Sequence, residues 1–190
     1  IFWQMPEKAI SSMQLGEKNL QSYLAEKIQA DPLLDNFNIT DYRHVNFMQL
    51  YESYRSFYQN LKEDKRAFAK LIIEGIYSGI TMMDGQISGA FVDSTSVAGL
   101  MSEIAKQYPH DLVMDPASGL GRILYLLHPK RFIAKDVNSE VVLMSQLLFK
   151  MSERKGVFEN EDSLKERSQS VAADLVILQP PYGLRIDGKL

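Results

Sequence analysis

The stretch from Asp111 to Gly121, D-L-V-M-D-P-A-S-G-L-G, constrains this chain more than any other. Leu112, Val113 and Met114 form a short apolar run that Asp115 and Pro116 end. Gly119 and Gly121 then lead into the periodic residues Ile123, Leu124, Leu126 and Leu127. That order predicts strand, glycine loop and helix. Pro116 cannot donate to a sheet ladder and so marks the strand end, while the two glycines let backbone approach a ligand closely. A glycine turn by itself is as often a plain turn as a binding loop, so its surroundings decide.

Those surroundings favour binding. A second apolar run, Phe132-Ile133-Ala134, ends at Asp136, which lies 21 residues after Asp115. That is where a ribose-binding carboxylate belongs in a nucleotide-binding βαβ unit. The third glycine of the dinucleotide fingerprint is replaced by Leu124, which removes the usual close packing beside a pyrophosphate. A nucleoside-containing cofactor without a pyrophosphate fits better.

The remaining strands follow the same rule. Val157-Phe158 leads to Asn160-Glu161-Asp162, and Leu175 to Leu178 leads to Gln179-Pro180-Pro181-Tyr182. From residue 97 onward the pattern alternates helix and strand, which predicts an open parallel sheet covered by helices. In such a sheet the ligand lies outside the carboxyl ends of the strands, where chain order reverses. All four motifs fall there.

The first 80 residues read differently. Leu20, Tyr23, Leu24 and Ile28 recur at helical spacing before Asp31-Pro32. Met48, Tyr51, Tyr54, Tyr58 and Leu61 repeat likewise, followed by Phe68, Leu71, Ile72 and Ile76 after the charged turn at 62–66. The aromatics lack interleaved basic residues, so they belong to a core rather than a nucleic-acid stacking platform. Residues 1–80 are expected to form a helical domain and 81–190 the α/β domain, joined through the glycine-rich stretch Gly75 to Gly89. Beyond it, Thr95 or Ser94 would cap a helix carrying Val97, Leu100, Met101 and Ile104, and Asn138 one carrying Val141, Met144, Leu148 and Met151.

Composition narrows the chemistry. A net charge of -3 leaves no bulk positive field for phosphates, so strong DNA affinity would require a local basic patch or a basic partner. The absence of cysteine excludes disulfides, thiolate metal sites and a cysteine nucleophile, and suits a cytoplasmic protein. His44, His110 and His128 are scattered, and no metal site is assigned. No apolar run is long enough to span a membrane.

Gln179-Pro180-Pro181-Tyr182 carries the reactive chemistry. Two prolines remove two backbone donors and stiffen the turn, leaving carbonyls and the Gln179 amide oxygen as acceptors beside the flat ring of Tyr182. Such a pocket suits an exocyclic amino group on a planar base.

Together, D-P-A-S-G-L-G at 115–121 and Q-P-P-Y at 179–182 resemble motifs I and IV of the N6-adenine DNA methyltransferases, especially the modification subunits of type I restriction-modification systems. The resemblance implies a Rossmann-like S-adenosylmethionine-dependent methyltransferase sheet, truncated after its fourth strand and preceded by a helical domain. Asp115, Pro116, Ala117, Ser118, Gly119 and Gly121 would form the cofactor loop, Asp136 would take the ribose and Asp162 would lie beside the cofactor adenine. Phe91, in Gly89-Ala90-Phe91, sits where the family has its motif X. Gln179, Pro180, Pro181 and Tyr182 would hold the target adenine.

The implied reaction moves a methyl group from S-adenosylmethionine to N6 of adenine in DNA, with a separate DNA-specificity subunit and a restriction subunit as partners. The family's motif IV begins with Asn, Asp or Ser, so Gln179 is one methylene longer than Asn. Val92-Asp93-Ser94 also stands where type I subunits carry an aromatic followed by Thr-Pro. The strand at Leu175 to Leu178 would be left as an apolar edge, to be covered by further sequence or by a partner. Two alternatives stay open: a methyltransferase acting on RNA or on a protein amide, and a non-catalytic module that binds S-adenosylmethionine or a partner.

Overall fold

The computed structural model describes residues 17–34, 46–61, 64–82, 86–87, 90–91, 95–165 and 172–180. Two compact units divide the chain, residues 1–71 and 72–190.

The first unit is helical. Helix α1 (Glu17–Gln29) ends before a single 3-10 turn at Pro32–Leu34, as the Asp31-Pro32 break predicts. Helices α2 (Phe47–Leu61) and α3 (Lys65–Met82) follow, and only the first part of α3 belongs to this unit. The Asp64 carboxylate accepts from Ala67 N at 2.9 Å and caps α3. Leu24, Ile28, Leu34, Tyr51, Phe68 and Ala69 are buried, and Tyr54 meets Phe68 edge-on at 5.3 Å. Of the aromatics in the predicted stripes, Tyr51 and Phe68 are core and Tyr54 is half-buried against Phe68, while the side chain of Tyr58 lies outside the described residues. Leu71 is the exception, 49 % exposed where a buried position was expected.

One expectation about the junction fails. Gly75 and Gly79 were read as loop, yet both lie inside α3, which runs on to Met82. Two isolated glycines cost a helix about 1 kcal/mol each. Ile73 and Tyr77, both fully buried on the same stretch, offset that cost through packing. A short antiparallel pair follows, β1 (Gln86–Ile87) with β2 (Ala90–Phe91).

The rest of the second unit alternates helix and strand: α4 (Thr95–Ala105), β3 (Leu112–Asp115), α5 (Arg122–Leu127), β4 (Arg131–Asp136), α6 (Ser139–Met151), β5 (Val157–Asn160) and β6 (Leu175–Val176). The four strands form one parallel sheet in the order β5-β4-β3-β6. Chain order therefore reverses between β3 and β6. The pairing of β6 is shorter than the apolar run Leu175 to Leu178, although Ile177 N still donates to Met114 O at 2.9 Å.

The two sheet faces differ. Val113, Phe132, Ala134 and Ile177 alternate onto one face and join residues of α3, α4, α5 and α6 in a single buried core. Phe132, Phe149 and the half-buried Phe158 pack there with centroids 4.9 to 5.5 Å apart, and full burial of Phe132 and Phe149 is worth about 1.5–3 kcal/mol each. A Cβ on Gly156 would land on the Phe132 ring, so glycine is required where α6 turns back into β5. On the opposite face Val157, Val176 and Leu178 stay 51 to 56 % exposed. Lys135 on that face is buried and lies 3.2 Å from Glu159 and 3.7 Å from Glu161.

Helix α4 departs from its expected stripe at three of four positions, and only Met101 packs against the core as expected. Val97, Leu100 and Ile104 are 41 to 63 % exposed, whereas Ala98, Ser102 and Ala105 are buried. Small residues at that spacing let α4 lie close on α5, where Ser102 Oγ donates to Ala98 O at 2.7 Å and lies 3.2 Å from Ile123 O. Helix α6 keeps its predicted face, with Val141 and Leu148 buried and Met144 and Met151 packed against the core. Among the described residues no helix is long and apolar enough to cross a membrane.

Candidate functional site

The carboxyl ends of β3, β4, β5 and β6 all open at one edge of the parallel sheet. The loop after β3 is built by its own hydrogen bonds. Asp115, 2 % exposed, accepts from Ala117 N at 3.2 Å. Ser118 donates to Lys135 O through both its backbone N (2.8 Å) and its Oγ (3.1 Å), which ties the loop to β4.

Both loop glycines are left-handed, Gly119 at φ 51° and Gly121 at φ 74°. A Cβ on Gly121 would sit 2.7 Å from the Phe149 ring and 3.0 Å from Ser145 Oγ. Glycine is thus demanded twice over at 121, by conformation and by the closeness of α6. The missing third glycine is explained as well: Leu124 is fully buried in the core rather than facing the loop.

Asp136 is the hinge of the site. Its Oδ2 accepts from Gly119 N at 3.0 Å and its Oδ1 from Asn138 N at 2.9 Å. Each carboxylate oxygen keeps a second lone pair, so capacity remains for two hydroxyl donors. The Asn138 side chain caps α6 by accepting from Glu140 N and Val141 N, as its position predicts.

The exit of β5 is tied to the exit of β4. Asn160 Nδ2 donates to Asp136 O (3.0 Å) and Val137 O (2.9 Å), and Glu161 N also donates to Asp136 O. Asp162 accepts from Leu164 N at 3.1 Å and faces Lys165 Nζ at 3.9 Å. The next residue, Ser163, donates from Oγ to Pro116 O at 2.7 Å.

Beside the glycine loop, β6 delivers Gln179 and Pro180. The Gln179 amide oxygen is buried and has no hydrogen-bond partner among the described residues. A buried acceptor left open costs about 1–3 kcal/mol, which a bound amino group would recover. The β6 strand is fixed at its other end by Asp174, whose Oδ2 accepts from Leu112 N (2.7 Å) and Asp111 N (3.1 Å). Those two hydrogen bonds hold the Asp174 carboxyl below its ordinary range.

Several expectations can now be placed. Asp115, Pro116, Ala117, Ser118, Gly119, Gly121, Asp136 and Asp162 converge on adjacent strand ends, with Gln179 and Pro180 following the neighbouring strand β6. The backbone of Phe91 lies in β2, paired with Gln86; its side chain, with Pro181 and Tyr182, lies outside the described residues.

Other residues were given no role by the sequence. Val137 is 72 % exposed immediately after Asp136, an apolar surface at the sheet edge. Asn160, Ser163 and Asp174 bridge segments distant in sequence, which no local pattern reveals. An apolar residue directly following a strand-end acid was the one cue available for Val137.

No protein-family model and no curated protein matches the chain. Among solved structures, the crystal structure of a Listeria monocytogenes protein described as a class I S-adenosylmethionine-dependent methyltransferase is similar. The TM-score is 0.52 at 15 % identity, over 95 % of this chain and 51 % of that one. The chain thus spans about half the length of that protein. At this identity the likeness concerns the fold alone, an α/β, Rossmann-like parallel sheet.

Proposed function

We propose that this chain is part of an S-adenosylmethionine-dependent methyltransferase acting on N6 of adenine in DNA, as a modification subunit of a restriction-modification system. The observation that carries this reading is the switch point between β3 and β6. It sets the glycine loop beside a strand that ends in an open, buried acceptor on Gln179. The residues present fit the cofactor. Left-handed Gly119 and Gly121 keep the loop flat, Asp136 has lone pairs for the ribose hydroxyls, Val137 offers an apolar surface to the adenine and Asp162 a polar edge.

S-adenosylmethionine, when bound, supplies an electrophilic methyl group. The chain's own part is positioning and charge. Adenine N6 is a poor nucleophile because its lone pair is delocalised into the ring. Accepting its two hydrogens on Gln179 Oε1 and the Pro180 carbonyl pushes electron density back onto nitrogen as positive charge develops there. Extrusion of the base from the duplex costs roughly a few kcal/mol, and stacking on Tyr182 would offset part of it. A net charge of -3 supports borrowed DNA affinity, hence a DNA-specificity subunit and, in the complete system, a restriction subunit.

The test is methyl transfer from tritiated S-adenosylmethionine to DNA lacking N6-methyladenine, by the full-length protein with its partner subunits, followed by nucleoside analysis. Label is expected in N6-methyldeoxyadenosine, falling about a hundredfold or more in Gln179→Ala. Label in RNA or in protein amide would redirect the reading to another acceptor, and binding without transfer would favour a non-catalytic module.

A further inference from the structure

We propose that Ser163 is a positioning residue, one that sets the distance between the two ends of the cofactor site; this rests on the S-adenosylmethionine reading above. In the sheet, β4 lies between β5 and β3, so the strands carrying Asp162 and Pro116 stand about 10 Å apart. The hydrogen bond from Ser163 Oγ to Pro116 O, 2.7 Å long and joining residues 47 apart in sequence, spans that gap over the end of β4.

The three loops are then fixed pairwise. Ser118 and Gly119 join the β3 loop to β4, Asn160 and Glu161 join the β5 exit to β4, and Ser163 joins the β5 loop to the β3 loop. Pro116 is a rigid anchor for this third side, because its ring fixes φ. Ser163 is exposed, so its bond replaces one to water and adds little to folding stability. Its removal leaves the other two sides standing. What loosens is the spacing between Asp162, at the adenine end, and the glycine loop, at the amino-acid end.

A ligand that spans both loops will sense that spacing, and one that touches a single side will not. The probes are S-adenosylmethionine and 5′-methylthioadenosine, which lacks the amino-acid end, titrated by ligand-observed NMR into wild type, Ser163→Ala and Ser163→Thr. Ser163→Ala is expected to weaken S-adenosylmethionine about tenfold while leaving methylthioadenosine within about twofold, and Ser163→Thr to restore both. Equal weakening of the two ligands, no weakening of either, or a threonine variant as weak as alanine overturns the assignment. A wild type that binds neither ligand instead removes the cofactor reading beneath it.

Discussion

At the carboxyl edge of the sheet, the loops after β3, β4 and β5 and the segment after β6 treat their polar groups in opposite ways. On the first side every loop is closed on itself: Asp115, Asp136, Ser118 and Asn160 all have backbone partners within 3.2 Å, and the glycine turn is pressed against Phe149. On the second side, three residues beyond the two-residue β6, Gln179 holds a buried amide oxygen that the described residues leave open. The contrast is between a turn whose polar groups are satisfied in advance and an acceptor that the described residues leave unsatisfied, which suits the cofactor and substrate roles proposed above. Binding energy for a cofactor needs rigid geometry in advance, whereas an acceptor aimed at a reacting group is best left unsatisfied until that group arrives.

The largest expected break in this contrast is Gly121→Ala. An added methyl must face positive φ and the Phe149 ring together, so the variant should lose about 2–4 kcal/mol in urea unfolding. A loss near zero would mean that the cradle is not rigid. The smallest is at the anchor of β6. The folded carboxyl of Asp174 is held below its unfolded value, so its contribution is fully present above the ordinary aspartate range. It is lost as pH falls through the lower folded value. Asp174→Asn should therefore speed hydrogen exchange of Ile177 N near neutral pH, leave the β4 amides unchanged, and lose its difference from wild type in acid. An effect equal in both strands would show that β6 is no more independent than the rest of the sheet.

Much of the local structure at the strand ends was legible because its signals are local. A proline and two glycines after an apolar run, an acid 21 residues on, and an asparagine cap each act within a few residues of themselves. Gly75 and Gly79 misled because burial of Ile73 and Tyr77 overrides helix propensity, a tertiary effect invisible to composition. Tyr77 shows the depth of that burial: its hydroxyl donates to Leu120 O at 3.0 Å, and desolvation pushes its pKa above the usual phenol range. Val97, Leu100 and Ile104 misled in a different way. Periodicity locates a stripe, but Ala98, Ser102 and Ala105 won the inward position because small residues let two helices approach. Ser163, Asn160 and Asp174 were beyond reach, since each acts on a partner 20 or more residues away.

The central claim is that the glycine loop and Asp136 form a cofactor cradle, and calorimetric titration of S-adenosylmethionine into wild type and Asp136→Ala tests it most directly. Saturable one-to-one binding that weakens tenfold or more in the variant, roughly the loss of a charge-assisted hydrogen bond, is the predicted result. Equal affinity in both proteins, or none in a folded wild type, would contradict it.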